Sequence, residues 1–222
     1  MTFLTSSVRG AAAAGGQALR AATGAIATLR PADKPLHPAG AVTTGVLRRL
    51  GPDVGSGAAW LDEPGEDEVL VRQSRAVGLP APAPDIFGLA LRVPVPGDGY
   101  GDLLFATTGR GRVTRFVLTA GRTPYSRPMT TLLPYRTPAG PVLLSAEHHG
   151  ERTLTLAWAT GRGDWTTFAT LQLPAHPTRA DDEPVSFDPV RHPLPGLEVY
   201  DWVRRLREPS YLTARRSRRL PD

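Results

Sequence analysis

The chain alternates apolar and polar positions in short bursts rather than at helical spacing. Eight stretches carry this pattern: AVTTGVLRRL (41–50), EVLVRQSRAV (68–77), FGLALRVPV (87–95), GDLLFATTG (101–109), RVTRFVL (112–118), PVLLSAEHH (141–149), RTLTLAWATG (152–161) and WTTFATLQLP (165–174). Each is short and rich in Val, Leu and Thr, and Gly or Pro clusters such as GPDVGSG, LPAPAPD and PVPGDGYG fill nearly every gap, which is the signature of strands joined by tight turns. Eight such strands with few helices between them predict a mostly β, antiparallel barrel; a two-sheet sandwich has the same rhythm, and periodicity alone does not separate the two.

The ends of the chain read differently. Leu19, Ala22, Ile26 and Leu29 fall on one face of a small-residue helix that Pro31 closes, so residues 1–33 are expected to form a helical arm docked on the domain, and 34–222 a single barrel domain. A proline-rich connector, PAHPTRADDEPVSFDPVRHPLPG, precedes a C-terminal helical stretch from about Leu197.

Composition narrows the chemistry. The 222 residues hold 41% hydrophobic and 21% charged side chains and no cysteine, which excludes disulfides, thiolate metal sites and a cysteine nucleophile. The net charge is +5, Lys34 is the only lysine, and arginines crowd between Arg204 and Arg219. No apolar run reaches the roughly 18–20 residues of a membrane-spanning helix, and the N-terminus lacks a secretory signal core, so a cytoplasmic location is expected.

Several patterns are discounted. Arg162-Gly163-Asp164 spells an adhesion tripeptide that any Gly-rich turn produces. His148 and His149, adjacent in a strand, point to opposite faces and cannot share a metal. The acidic group Asp62, Glu63, Glu66, Asp67 and Glu68 reads as a solvated turn, and no Gly-rich phosphate loop precedes a helix. The basic tail lacks the interleaved aromatics of a single-strand binder, so no nucleic-acid partner is expected.

One series of short elements remains. K-P-L-H-P-A-G surrounds His37 and Gly40; V-R-Q-S covers Val71 to Ser74; D-I-F-G-L-A-L covers Asp85 to Leu91; Asp102-Leu103 opens the next strand. Later come Phe187-Asp188-Pro189, Pro195-Gly196, Arg207 four residues before Tyr211, and Arg218 seven after it. In this order, the elements resemble those of the haem-dependent catalase superfamily, spread over residues 34 to 218, in the manner of a minimal catalase-related protein of actinobacterial type.

That resemblance implies an eight-stranded catalase-like barrel with haem b as cofactor. Tyr211 would be the iron ligand, a role few side chains fill, with Arg207 on the same helical face stabilising the phenolate. His37 would be the acid–base group on the opposite side of the ring, oriented by Ser74. Arg72, Arg218 and Lys34 would face the haem propionates, Lys34 less aptly because an ammonium cannot make the bidentate contact of a guanidinium. Pro209, between Arg207 and Tyr211, should kink or start that helix. Where the family has a distal asparagine this chain has Ala106 or, with a one-residue slip, Thr107. A haem-dependent peroxidase-type oxidoreductase acting on hydrogen peroxide or organic hydroperoxides is the expectation, with room for a homo-oligomer. The alternatives are a catalase-type barrel without turnover that binds haem or an apolar ligand, and a basic-tailed interaction protein without cofactor.

Overall fold

The computed structural model describes residues 39–78, 82–97, 99–174 and 185–205. The strands are β1 (Ala39–Arg49), β2 (Gly65–Arg75), β3 (Phe87–Val95), β4 (Gly99–Thr107), β5 (Met129–Thr130), β6 (Tyr135–Thr137), β7 (Gly140–His148), β8 (Thr153–Thr160), β9 (Thr166–Gln172) and β10 (Glu198–Val199), with the short helix α1 (Ala59–Asp62) between β1 and β2. All pairings are antiparallel. The hydrogen-bonded order β7-β5-β4-β3-β2-β1-β9-β8 returns to β7 and closes an eight-stranded barrel, while β6 and β10 extend from β7 as a short flap. Closure decides between the two architectures that periodicity left open: this is a mostly β, eight-stranded antiparallel barrel, and its ring leaves no long strand edge bare.

Alternation sorts each strand into two faces. Val69, Val71, Leu89, Leu91, Leu103, Phe105, Leu144, Leu156 and Phe168 point inward and form the core. Burying each such side chain stabilises the fold by about 1.5–3 kcal/mol before entropy is counted. Trp60 of α1 closes against Phe168 with ring centroids 5.9 Å apart.

Seven of the eight expected strands lie where the pattern puts them, with ends shifted by a few residues. The eighth does not. Residues 112–118 form no strand; Thr114–Phe116 is a single 3-10 turn, and the eighth place in the ring is taken by the two-residue β5. The cause is Arg115. Its side chain is buried in the loop between β4 and β5, where it donates to the Gly111 carbonyl at 3.1 Å and stacks over the Trp165 ring at 4.5 Å. Thr114 accepts the Gly111 N–H through its hydroxyl and the Gly109 N–H through its carbonyl. Burial, with Arg112 and Arg110 close by, pushes the Arg115 guanidinium down from its ordinary value, partly offset by Asp164. An arginine fed this many local carbonyls makes a turn, not a ladder.

The C-terminal reading also shifts. Glu198–Val199 pairs as β10 with β6, and helix begins at residue 201 rather than at Leu197. Leu197 instead ends a turn, its N–H bonded to the Leu194 carbonyl. Gly196 sits in that turn at φ +79°, and a Cβ there would come within 3.0 Å of Ala58, so both conformation and space require glycine. The expected arm at 1–33 lies outside the described residues.

Candidate functional site on the outer face of the barrel

Strand register aligns residues across the outside of the barrel. Gly40 pairs with Ser74, Ser74 with Gly88, Gly88 with Ala106, Ala106 with Thr130, Thr130 with Ser145, and Ser145 with Ala157. Seven strands thus contribute a small residue at one height. One step along the barrel, a second row runs Val42, Arg72, Ala90 and Leu104; a further row brings Leu70, Arg92 and Asp102 together. Between Gly40 and Ala106 the outer wall has almost no relief, because Gly, Ser and Ala barely project from a sheet.

This face is buried although it lies outside the core. Val42, Arg72, Ser74 and Ala90 are each less than a tenth exposed, whereas Thr44, Val46, Arg48, Glu66 and Glu68, on the same face at the other end of β1 and β2, are open to solvent. Arg72 is 5% exposed, so a guanidinium is held in a largely dry setting beside a flat apolar floor. Its position depends on Gly40: a Cβ there would fall 2.7 Å from the Arg72 guanidinium carbon and 2.6 Å from the Gln73 carbonyl oxygen. The glycine of the His37 element therefore makes room for the arginine of the V-R-Q-S element.

Two borders frame the floor. Beyond Ala106 the chain enters the β4–β5 loop, which closes over Thr130: the Thr130 hydroxyl donates to the Arg115 carbonyl at 2.7 Å and receives Thr108 Oγ1 at 3.2 Å. At the opposite border, Asp102 is fully buried and accepts two hydrogen bonds from Arg92, at 2.8 and 2.9 Å, and one from the Asp188 N–H at 2.8 Å. The Asp102 N–H in turn donates to the His192 carbonyl, and Arg92 donates to the Ser186 carbonyl. Phe187 and Tyr100 lie against the Arg92 guanidinium, at 5.1 and 3.9 Å from ring centroids. The segment 185–194 is thus clamped onto β3 and β4, and the D-L and F-D-P elements, 86 residues apart, meet through one carboxylate.

Of the site residues expected from sequence, Arg72 and Ser74 are described, and both lie on this outer face of β2. Lys34, His37, Arg207, Tyr211 and Arg218 lie outside the described residues. The register also separates Ala106 from Thr107. Ala106 stands in the small-residue row beside Gly88, whereas Thr107 belongs to the inner face, where its hydroxyl donates to the Thr119 carbonyl at 2.7 Å and accepts the Phe87 N–H at 3.1 Å. At the position facing the floor there is a methyl group and no donor.

Other patterns resolve into structural roles. Asp85 is a buried turn cap that accepts N–H groups of Val77, Gly78 and Ile86 and pairs with Arg75 at 3.4 Å. Asp62 caps the Ser56–Gly57 turn, and Glu66 and Asp67 pair with Arg48 and Arg49. His148 packs edge-on against Tyr125 at 4.8 Å and is half-buried, while His149 is exposed. Among the described residues no cluster of three His, Asp or Glu side chains could hold a metal ion.

The floor itself was not read from the sequence. Its signal was present: in F-G-L-A-L the inward positions are large and the outward ones, Gly88 and Ala90, are small, and Arg92 continues the outward series in a strand otherwise without charge.

A closed antiparallel barrel, buried on part of its outer wall and clasped there by a C-terminal connector, defines a catalase-like fold. Among solved structures it is similar to a fungal catalase, with a TM-score of 0.62 and 15% sequence identity over 84% of this chain. The match spans 59% of the length of that catalase. No family model and no curated protein matches the sequence.

Proposed function

We propose that this chain is a catalase-related haem protein with peroxidase-type activity toward hydroperoxides. The observation that carries the reading is the outer face of β1–β4: a low-relief row of Gly40, Ser74, Gly88 and the half-buried Ala106, with Ala90 and the buried Arg72 guanidinium beside it. A planar apolar ring with carboxylate arms fits that combination. Small side chains keep the row low, and a desolvated guanidinium binds a carboxylate far better than an exposed one does.

Bound there, haem would supply the redox chemistry of iron toward a peroxide O–O bond. Tyr211 would hold the iron, and the neighbouring Arg207 would keep its phenol ionised. Arg72, with Arg218 and Lys34, would pair the propionates. His37, three residues before Gly40, would take the proton from the inner peroxide oxygen and return it to the departing one, with the Ser74 hydroxyl fixing the imidazole tautomer. Ala106 makes no hydrogen bond to substrate at the place where catalases carry asparagine. This weakens hydrogen peroxide dismutation and leaves space beside Gly88 for the alkyl part of an organic hydroperoxide.

The test is reconstitution of the full chain with haem b. A Soret band and turnover of cumene hydroperoxide with an electron donor are expected. Absence of a Soret band sinks the reading, and a Tyr211→Phe protein with an unchanged spectrum removes the ligand assignment. The methyl group at Ala106 also favours a second reading, a barrel that binds haem or another flat apolar ligand without turnover; a spectrum without peroxidase activity would select it.

A further inference from the structure

The β4–β5 loop carries a second surface, on the solvent side of the segment that closes over Thr130. Val113, Phe116 and Val117 are 65%, 43% and 50% exposed. All three belong to or flank the single Thr114–Phe116 turn. Single exposed apolar side chains are ordinary; three large ones within five residues of one turn are a marked feature.

The loop beneath them is firmly built. Arg115, 2% exposed, reaches inward from the same turn to the Gly111 carbonyl and the Trp165 ring, and its own carbonyl accepts from Thr130. A turn stitched in this way presents its apolar side without an ordering cost at each encounter.

The charge around the patch is of one sign along the chain. From Leu103 to Ala146 there is no Asp or Glu, and six arginines occupy the interval. Arg112, Arg122 and Arg127 are exposed on the same loop; the highly exposed Asp164 carboxylate lies 3.8 Å from Arg112, and Glu147 pairs with Arg110. Exposed apolar side chains on a loop whose own charges are all arginine match the interfacial region of an anionic bilayer, where headgroups take the arginines and the hydrocarbon boundary takes the aliphatic and aromatic groups. A second copy docking the same loop would set its arginines against one another. A nucleic acid would satisfy the arginines but leave Val113 and Val117 without a stacking role.

We propose that the Arg112–Arg127 loop is a membrane-surface docking site, in which Val113, Phe116 and Val117 enter the headgroup layer of anionic lipid and Arg112, Arg122 and Arg127 pair with phosphates. It holds the protein on one leaflet and spans nothing. The surface stands whether or not the outer face of β1–β4 binds haem.

Co-sedimentation of the full chain with phosphatidylcholine vesicles, with and without phosphatidylglycerol, tests it. Binding is expected only with the anionic lipid. Phe116→Ser with Val113→Ser should weaken it roughly tenfold, and Arg112→Gln with Arg122→Gln and Arg127→Gln roughly tenfold or more, with unchanged circular dichroism. The basic tail is intact in every variant, so binding that survives both sets belongs to the tail and overturns the proposal. Equal binding to neutral vesicles overturns it too, as does a dimer dissolved by Phe116→Ser. Binding to a duplex oligonucleotide that needs the arginines but not Phe116, without vesicle binding, assigns the loop to nucleic acid instead.

Discussion

Gly40 and Arg72 occupy one another's space: the guanidinium carbon lies 2.7 Å from where a Cβ on Gly40 would be. The Gln73 carbonyl, at 2.6 Å, bars the other way out. Gly40→Ala should therefore cost about 1–3 kcal/mol in urea unfolding. It should also displace Arg72 and lower haem affinity by about tenfold, the effect of losing one charge-assisted hydrogen bond. Arg72→Gln should reproduce the affinity loss with less effect on stability, and the comparison separates packing from ligand binding.

Ala106 faces the floor without a donor. Ala106→Asn should raise kcat/KM for hydrogen peroxide by about tenfold or more, the effect of one added hydrogen bond in the transition state. Activity toward a bulky organic hydroperoxide should fall in the same protein. Steady-state kinetics with the two substrates would show the crossover; equal changes for both would mean that Ala106 does not border the reacting peroxide.

Asp102 is fully buried beneath Arg92 and the connector. Asp102→Asn leaves the guanidinium half-paired and loosens the Asp188 amide. A loss of about 2–4 kcal/mol is expected, less than for a wholly buried pair because Arg92 retains some contact with water. Limited proteolysis should cut the variant within 185–194 well before the barrel is attacked.

Tyr125 and Tyr200 are both held above the usual phenol value, first by burial, with Glu151 adding to the effect at Tyr125 and Arg136 opposing it at Tyr200. A raised phenol favours the neutral form in the folded state. Its contribution is complete below about pH 10 and is lost as pH rises from there through the folded value. Thermal unfolding midpoints should fall on that alkaline side, and Tyr125→Phe and Tyr200→Phe should each flatten the decline.

Strand content was plain in the sequence because inward and outward positions differ so clearly in strands such as β3 and β8. The loop around Arg115 was not, since V-T-R-F-V-L has the alternation of a strand. What overrides it is contact with Trp165 and Thr130, 50 and 15 residues away, which no local pattern encodes. The site was legible in part for a similar reason. The one-letter motifs mark Arg72, Ser74 and Asp102, but that they stand in three successive rows on one face is fixed only once register is set across four strands. Ala106 and Thr107 were interchangeable on paper; a single peptide of register assigns one to the wall and the other to the interior.

The row of small residues girdling the barrel has a consequence for how the molecule can change. At that height the wall makes no knobs, so whatever lies against it is fitted by its own side chains rather than by the sheet's. The β4–β5 loop already demonstrates this over Thr130, where its contacts run to a hydroxyl and to backbone. A lineage could replace one covering with another by recombination or insertion and leave the eight strands untouched. A single bulky substitution in the girdle would close off that freedom for every covering at once.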